Sequence, residues 1–408
     1  MRRLLQPRLR IGCPVAIGCD DTRTMAISLL TRKVGAALAV AVALTVTAAG
    51  SVHGAPTETA DSVMQDGLDA AVAAGYPGAT ALLRKDGASR YLTAGVDDRA
   101  TRTPMDPKAQ VRIGSNTKPF IGAVTMMLAD QGSLSLDDTV DRWLPGVVTG
   151  NGNDGKKIKI RQLLNHTSGV PECLDRVTVD AYNNPTKPFP PAQLVQLAMQ
   201  RAPLFAPGTS VKYGNTNFIL LGMIIKSVTG NEPAVEVRTR LIDRLGLTGT
   251  SYPTSDPKLY GNHVRGYAVP LYYWGERPYV DVTTLNVQFS GAAGAMVSAL
   301  DDLAALHEAL LDGTLLSPAM TDQLKTLVPY PDQANLSFGL AHEVVNGPGA
   351  CGKVWTKGGA IYGYHTAVLT REDGDQAAVA TNQYNMAGPA GAGVPNLTNA
   401  AIDALCAL

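Results

Sequence analysis

Strand signals lie near both ends of this chain, and helical signals fill the part between them. Residues Thr80–Lys85 and Tyr91–Ala94 flank an Asp86-Gly87 pair, which supplies the positive φ that a tight hairpin turn needs. Near the other end, strand-like runs surround an Asp373-Gly374 turn: Lys353–Thr356, Tyr364–Thr370 and Ala377–Thr381. Strands at both ends predict one α/β lobe with an antiparallel sheet built from both chain ends and flanked by helices.

Apolar residues recur at helical spacing between these strands and after them. The clearest case, Pro119–Gln131, is followed by Gly132, which is typical of a helix C-terminus. Six further segments have this pattern: Ile160–Asn165, Ala192–Met199, Phe218–Val228, Ala234–Leu245, Ala299–Leu311 and Asn396–Cys406. We therefore expect a mainly helical lobe at about residues 135–289, inserted into the α/β lobe, with a cleft between the two.

The composition is that of a globular chain without a preference for polyanions. The 408 residues are 45% hydrophobic, and 35 Lys and Arg balance 35 Asp and Glu. That apolar content is enough for a large core. The zero net charge gives no general attraction to nucleic acid or to an anionic membrane, so we expect neither as a partner.

An uncharged apolar run, Val34–Ala49, follows Arg32 and Lys33 near the start of the chain. Basic residues, an apolar stretch and then small residues are typical of a secretory signal peptide. The run is Ala-rich and shorter than about 20 strongly apolar residues, which argues against a membrane anchor. We expect residues 1–55 to be leader and signal peptide, residues 56–408 to be the functional domain, and the product to be secreted, extracellular and not stably bound to membrane.

The five cysteines divide at the same boundary. Cys13 and Cys19 precede the expected cleavage region, so Cys173, Cys351 and Cys406 remain in the exported domain. An oxidising destination permits one disulfide among these three. The spacing by itself does not select the pair.

The motif SxxK occurs at Ser115-Asn-Thr-Lys118, just before the amphipathic Pro119–Gln131 segment. One helical turn from Ser to Lys places the amine beside the hydroxyl it would deprotonate, as a nucleophile and its base require. A second SxxK, Ser255-Asp-Pro-Lys258, lies in a Pro-rich loop where no helical turn aligns the two groups. Because a helix N-terminus also favours developing negative charge, we predict that Ser115 is the nucleophile.

A YxN triplet, Tyr213-Gly-Asn215, lies at the entry to the apolar Phe218–Val228 segment. The same form occurs at Tyr182 and Tyr260, but no strong apolar helix follows there, so those triplets indicate solvated turns. The position of Tyr213 before a helix favours a functional role for its triplet.

A third motif, Lys357-Gly358-Gly359, stands at the end of a strand signal. Paired glycines let a substrate backbone approach a sheet edge, although a hairpin turn would also use them. SxxK, YxN and KxG in this order match the motif set of penicillin-binding proteins and β-lactamases, with Tyr213 where the class A enzymes have Ser.

The match extends beyond the motifs, over roughly Thr80 to Cys406. The runs that carry it are VRIGSNTKPF, LSLDDTVDRWLPG, IRQLLNHTSGVPE, PGTSVKYGNTNFILLG, SGAAGAMVSALDDLA and GYHTAVLTREDG. On these runs the chain resembles the serine DD-peptidase and class C β-lactamase superfamily, of the penicillin-binding protein type, and within it the extracellular D-alanyl-D-alanine carboxypeptidases. The resemblance implies a β-lactamase/transpeptidase-like α/β fold.

By this resemblance, Ser115 is the acylated nucleophile, Lys118 its base and Tyr213 a proton relay to the leaving group. Asn215 would bind the substrate amide. Lys357 would place positive charge near Tyr213 and near a substrate carboxylate, and its charge would help to keep Lys118 neutral. The resemblance also implies an oxyanion hole from the backbone N–H groups of Ser115 and Ala360, substrate contacts at Gly358, Gly359 and Phe289, and a Cys351–Cys406 disulfide that leaves Cys173 as a buried thiol.

Two departures from the family pattern bear on the substrate. The carboxypeptidases of the family have hydroxyl side chains, which help to bind a terminal carboxylate, where this chain has Gly358 and Ala360. They also place an Arg for that carboxylate where this chain reads Leu340-Ala-His342-Glu343. His342 is a candidate substitute, whereas Glu343 would repel the carboxylate. We therefore expect poorer recognition of a free C-terminus, which favours esters, amides or lactams as substrates.

The resemblance implies a secreted, monomeric serine hydrolase of the D-Ala-D-Ala carboxypeptidase type that acts on peptidoglycan stem peptides. A β-lactamase or family VIII-type esterase would use the same residues on small esters, amides or β-lactams, and a penicillin-binding sensor would be acylated without turnover. The six His residues form no HExxH or paired-ligand pattern, and the sequence has no phosphate-binding Gly loop. We therefore expect no metal and no cofactor.

Overall fold

A computed structural model gives the fold and describes residues 58–269, 279–331, 333–384 and 394–408. The expected signal segment Val34–Ala49 lies outside these ranges. The α-helices are α1 Ala60–Ala73, α2 Thr117–Asp130, α3 Val140–Trp143, α4 Ile160–Leu164, α5 Thr178–Asn183, α6 Pro191–Ala198, α7 Thr216–Thr229, α8 Pro233–Val237, α9 Asp243–Leu245, α10 Gly291–Gly294, α11 Leu300–Leu311, α12 Pro318–Leu324 and α13 Val394–Cys406. None of the helices in the described ranges has both the length and the hydrophobicity needed to cross a bilayer.

The strands are mostly short outside the two ends of the described chain. They are β1 Gly78–Lys85, β2 Ala88–Asp98, β3 Thr103–Pro104, β4 Val111–Arg112, β5 Thr149–Gly150, β6 Asn153–Asp154, β7 Tyr267–Ala268, β8 Val280–Asp281, β9 Val297–Ser298, β10 Val328–Pro329, β11 Leu336–Phe338, β12 Glu343–Asn346, β13 Lys353–Ile361, β14 Tyr364–Arg371 and β15 Gln376–Thr381.

One large sheet joins the two ends of the described chain. Its order is β10-β11-β12-β13-β14-β15-β1-β2-β3, and all neighbours are antiparallel. Strand β1 pairs with β15, so that Leu82 lies opposite Ala378. The β1–β2 hairpin turns at Asp86 and Gly87, with φ of 49° and 78°, as the sequence predicts. The expected antiparallel sheet built from both chain ends is confirmed.

Helices cover both faces of this sheet. Helices α1 and α13 pack together on one face, while α11 packs against β14 and β15 within the other apolar cluster. A disulfide joins Cys406 at the end of α13 to Cys351 just before β13, the pair that the resemblance implies, and Cys173 is a buried free thiol. Closing a loop of this length is typically worth about 2 to 4 kcal/mol of stability.

The helical part of the chain is built around α2 and α7. These two helices pack against each other, and α4, α6, α8 and α10 also pack against α7. The segment predicted as one helix at Ala234–Leu245 is divided, because a π-helical turn at Arg238–Ile242 separates α8 from α9. Strands β11 and β12 were not predicted, since three and four residues are too few for a clear alternating pattern.

Candidate active site

Ser115 lies in a 3-10 turn, Gly114–Asn116, that runs directly into α2. The turn is fixed to the large sheet, because Nδ2 of Asn116 donates a 2.8 Å hydrogen bond to Oγ1 of Thr366 on β14. Gly114 has a φ of +50°, and a Cβ atom there would lie 2.6 Å from the backbone nitrogen of Ala360 on β13. Only glycine therefore allows the Ser115 turn to approach β13 this closely.

Lys118 lies one turn later, on α2, and its side chain is fully buried. Its Nζ is 2.9 Å from Oγ of Ser115, 2.8 Å from Oδ1 of Asn215 and 2.8 Å from the backbone carbonyl oxygen of Ala293. A neutral amine has two N–H groups and one lone pair. Oδ1 of Asn215 and the carbonyl oxygen of Ala293 accept hydrogen bonds from the two N–H groups. The lone pair is then directed at the Ser115 hydroxyl, as a general base requires.

The surroundings of Lys118 favour this neutral form. Burial lowers the pKa of Lys118 well below its usual value, and the nearby positive charge of Lys357 lowers it further. The carboxylates of Glu172 and Glu343 oppose this shift but do not reverse it. The expectation that Lys357 helps to hold Lys118 neutral thus agrees with the electrostatics of the site.

Tyr213 precedes α7, and its hydroxyl donates a 2.7 Å hydrogen bond to Oγ of Ser115. Burial raises the pKa of Tyr213, so the phenol keeps its proton near neutral pH. The ring packs on the buried imidazole of His166 at 4.6 Å between centroids. Nδ1 of His166 accepts from the backbone nitrogen of Gly214 at 3.3 Å and from Nδ2 of Asn217 at 3.1 Å, which fixes the loop that carries Tyr213.

Asn215 is oriented by an acidic residue that sequence reasoning missed. One carboxylate oxygen of Glu172 accepts from the Asn215 backbone nitrogen at 2.6 Å and from its Nδ2 at 3.3 Å. The other accepts from the backbone nitrogens of Cys173 and Leu174. Because an ionised carboxylate only accepts, Nδ2 of Asn215 must face Glu172 and Oδ1 must face Lys118. The available signal was an acidic side chain in the otherwise mostly uncharged run LLNHTSGVPE.

Lys357 lies on β13 with its ammonium 4.6 Å from the centre of the Tyr213 ring. Its Nζ also forms an ion pair with Oε1 of Glu343, the first residue of β12. Burial lowers the pKa of Lys357, but the Glu343 carboxylate and Tyr213 together outweigh this effect and leave the pKa raised. Glu343 therefore neutralises the cation that was expected to bind a substrate carboxylate.

His342 does not replace the missing Arg. Its side chain is 1% exposed and lies edge-on to the buried ring of His307, at 4.7 Å between centroids. Burial lowers the pKa of His342 to about 4, so the ring is neutral at pH 7. The expectation that His342 might bind a carboxylate is wrong, because the side chain points into the core and carries no charge.

The glycines of the third motif have different roles. Strand β12 pairs with β13 only from Lys353 to Thr356, so the next residues of β13 have one free edge beside Ser115. A Cβ at Gly358 would meet nothing within 4 Å, which leaves room for a substrate backbone. A Cβ at Gly359 would lie 2.0 Å from the carbonyl oxygen of Ile113, so this glycine is needed for packing against the Ser115 turn.

One expected substrate contact is absent from the site. Phe289 is 0% exposed and packs edge to face on Phe189, at 6.3 Å between centroids. The prediction that Phe289 contacts substrate is therefore wrong, because its side chain, in the 3-10 turn Val287–Phe289, is buried in the core. Within the described residues, no group of three or more His, Cys, Asp or Glu side chains is arranged to hold a metal ion.

Comparison with known proteins gives a consistent result. The sequence model of the family described as Beta-lactamase matches residues 60–400. The crystal structure of a D-stereospecific amidohydrolase from Streptomyces sp. is similar to this chain with a TM-score of 0.75 and 35% identity, over 84% of this chain and 98% of that chain.

Two curated bacterial proteins are also similar in sequence. Protein flp of Staphylococcus aureus (strain N315) is 29% identical over 227 residues, which are 55% of this chain and 44% of that protein. Penicillin-binding protein 4* of Bacillus subtilis (strain 168) is 24% identical over 286 residues, which are 67% of this chain and 61% of that protein. The chain thus spans less than two thirds of the length of these curated relatives.

Proposed function

The chain belongs to the beta-lactamase family of serine hydrolases, and from this premise we propose that it hydrolyses amides or esters of D-amino acids through an acyl-enzyme at Ser115. The observation that carries the chemistry is the geometry of Lys118, whose two N–H groups are used by Asn215 and Ala293 while its lone pair faces Oγ of Ser115. Similarity to the Streptomyces D-stereospecific amidohydrolase supports the substrate class.

Acylation begins when Oγ of Ser115 attacks the substrate carbonyl carbon and passes its proton to Lys118. The negative charge that develops on the carbonyl oxygen is stabilised by the backbone N–H groups of Ser115 and Ala360, the proposed oxyanion hole. The bond to the leaving nitrogen or oxygen then breaks. That atom takes the hydroxyl proton of Tyr213, which regains a proton from Lys118 because both groups border the same Oγ.

Deacylation reverses these roles with water as the nucleophile. Lys118, neutral again after acylation, removes a proton from the water, the water oxygen bonds to the acyl carbon, and Oγ of Ser115 leaves and takes that proton from Lys118. The products are a free D-amino acid and the leaving amine or alcohol. Asn215 holds Lys118 in place throughout and borders the bound amide, while the free edge of β13 at Gly358 pairs with the acyl backbone.

The test is a substrate panel with a covalent readout. D-Phe amide and D-Phe methyl ester are compared with their L-enantiomers, and the site of acylation by a labelled penicillin is located by mass spectrometry. We expect turnover of the D-substrates, one adduct at Ser115, and loss of both in Ser115→Ala. Hydrolysis that survives Ser115→Ala, or an adduct on another residue, would overturn the mechanism.

A second candidate is a D-alanyl-D-alanine carboxypeptidase. The ammonium of Lys357 next to Tyr213 favours it, as does the similarity to penicillin-binding protein 4*. The same panel, extended by a stem peptide that ends in D-Ala-D-Ala, separates the candidates. Fast release of the penicilloyl group indicates a β-lactamase, while slow release without hydrolysis of any panel member indicates a penicillin-binding sensor.

We also propose that the enzyme is exported. The order of basic residues, the apolar Val34–Ala49 run and the small residues after it supports cleavage by a signal peptidase. N-terminal sequencing of the protein from the culture medium should give a start between Ser51 and Pro56. A product that retains Val34–Ala49 and stays with the cells would contradict export.

A further inference from the structure

We infer that Glu343 is a specificity-determining residue, which directs the site to acyl donors whose leaving group carries no carboxylate by keeping the Lys357 ammonium paired. The inference rests on the proposed acyl-enzyme function, and it adds a preference for leaving groups that carry no negative charge. This preference distinguishes an amidase or esterase from a carboxypeptidase that uses the same catalytic residues.

The pair lies on the side of Ser115 where the leaving group departs. Glu343 is the first residue of β12 and pairs with Thr356 of β13. Lys357 is the next residue of β13. The ammonium of Lys357 is 4.6 Å from the Tyr213 ring, and the Tyr213 hydroxyl that protonates the leaving atom is 2.7 Å from Oγ of Ser115. We therefore expect a group attached to the leaving nitrogen or oxygen to lie close to the Lys357–Glu343 pair.

The carboxylate is the more accessible member of this pair. The side chain of Lys357 is 3% exposed and that of Glu343 is 19% exposed. An incoming carboxylate would have to compete with Glu343 for an ammonium that is almost fully covered. A carboxamide or an alkyl ester does not have to compete for the ammonium, because it carries no charge that needs a partner.

The summed charge around the leaving group is also unfavourable for an anion. After burial, the charged side chains that act on the pKa of Tyr213 are Lys357, which lowers it, and Glu343 and Glu172, which raise it. In the free enzyme, where burial favours the neutral form of Lys118, an incoming carboxylate would therefore meet one positive and two negative side chains. Neither Gly358 nor Ala360 has a hydroxyl group, so these side chains offer a substrate carboxylate no hydrogen-bond donor in place of the paired Lys357.

The test compares two peptides that differ only in that charge. D-Phe-D-Ala and D-Phe-D-Ala amide share the Phe–Ala bond, whose cleavage is followed as release of D-Phe, but only the first carries a carboxylate on the leaving group. We expect the wild-type enzyme to prefer the amidated peptide in kcat/KM. Glu343→Gln keeps an oxygen for Lys357 and removes the negative charge, so it should shift the ratio of kcat/KM towards the free acid by roughly tenfold.

Two further variants control for other effects. Glu343→Ala removes the charge without leaving an amide, and it should shift the ratio in the same direction. Glu232→Gln makes the identical chemical change in an exposed Lys–Glu pair with Lys226, and it should leave the ratio at the wild-type value. Hydrolysis of D-Phe methyl ester by every variant reports that the catalytic residues remain intact.

The outcomes of the two proposals are distinguishable. A wild-type enzyme that prefers the free acid overturns the inference whatever the variants do, and so does an unchanged ratio in variants that still hydrolyse the ester. A wild-type enzyme that hydrolyses no panel member and is not acylated at Ser115 overturns the proposed function instead.

Discussion

The ammonium of Lys357 lies 4.6 Å from the centre of the Tyr213 ring, and the Nζ of Lys118 lies 4.9 Å from the centre of that same ring. Lys357 pairs with Glu343, which favours its charged form, whereas burial and then the charge of Lys357 lower the pKa of Lys118 and favour its neutral form. The charge of Lys357 therefore adds to the effect of burial in lowering the pKa of Lys118.

Lys357→Gln should raise the pKa of Lys118, because it removes the positive charge that lowers it. Activity requires neutral Lys118, so it is lost as the pH falls through that pKa. The acid limb of the profile of kcat/KM against pH, measured with D-Phe methyl ester, should move to higher pH. Lys226→Gln, in an exposed ion pair, is the control and should leave the limb in place. An unchanged acid limb in Lys357→Gln would contradict this coupling.

Glu172→Gln should lower kcat by about tenfold, because the new amide group no longer forces Nδ2 of Asn215 away from Lys118. The variant also removes a negative charge that raises the pKa of Lys118, so its acid limb should move to lower pH, opposite to the shift in Lys357→Gln. Adding Glu172→Gln to Asn215→Ala should cost little more, as expected for a positioning residue. Fully additive losses in the double variant would show that Glu172 acts independently of Asn215.

Gly359→Ala should destabilise the fold by about 1 to 3 kcal/mol and lower acylation, because its Cβ would press on the carbonyl oxygen of Ile113, 2.0 Å away. The Ser115 turn would then be displaced from β13. Gly358→Ala is the matched control, since its Cβ meets nothing within 4 Å, and it should leave the free energy of unfolding nearly unchanged. Denaturant unfolding of both variants tests this, and equal stabilities would refute the packing role of Gly359.

Buried histidines should make the protein acid-labile. Burial lowers the pKa values of His342 and His365 to about 4, compared with about 6.5 in an unfolded chain. Below pH 6.5 the unfolded state binds the extra proton, so stability falls between pH 6.5 and pH 4, by up to about 1.4 kcal/mol per pH unit for each histidine. Unfolding free energies at several pH values measure this slope. His365→Phe should reduce the slope, and an unchanged slope in that variant would contradict the prediction.

Local sequence signals predicted the elements that local interactions form. The β1–β2 hairpin follows from the Asp86-Gly87 pair, and α2 and α7 follow from apolar residues at helical spacing. The 3-10 turn and the first turn of α2 bring Ser115 and Lys118 together, as the SxxK spacing predicts. The short strands β11 and β12 escaped prediction, because their few residues form strands only by pairing with the neighbouring strands of the sheet.

The sequence by itself thus determined which residues are available for acyl transfer and the antiparallel α/β fold that carries them. The tertiary structure alone decided how they are paired: it placed Tyr213, 98 residues away along the chain, on Ser115, joined Glu172 to Asn215, joined Glu343 to Lys357, and buried His342 and Phe289 in the core. The physical reason is that contacts within one turn follow from backbone geometry, whereas contacts between distant segments depend on strand register and on helix packing over the whole core.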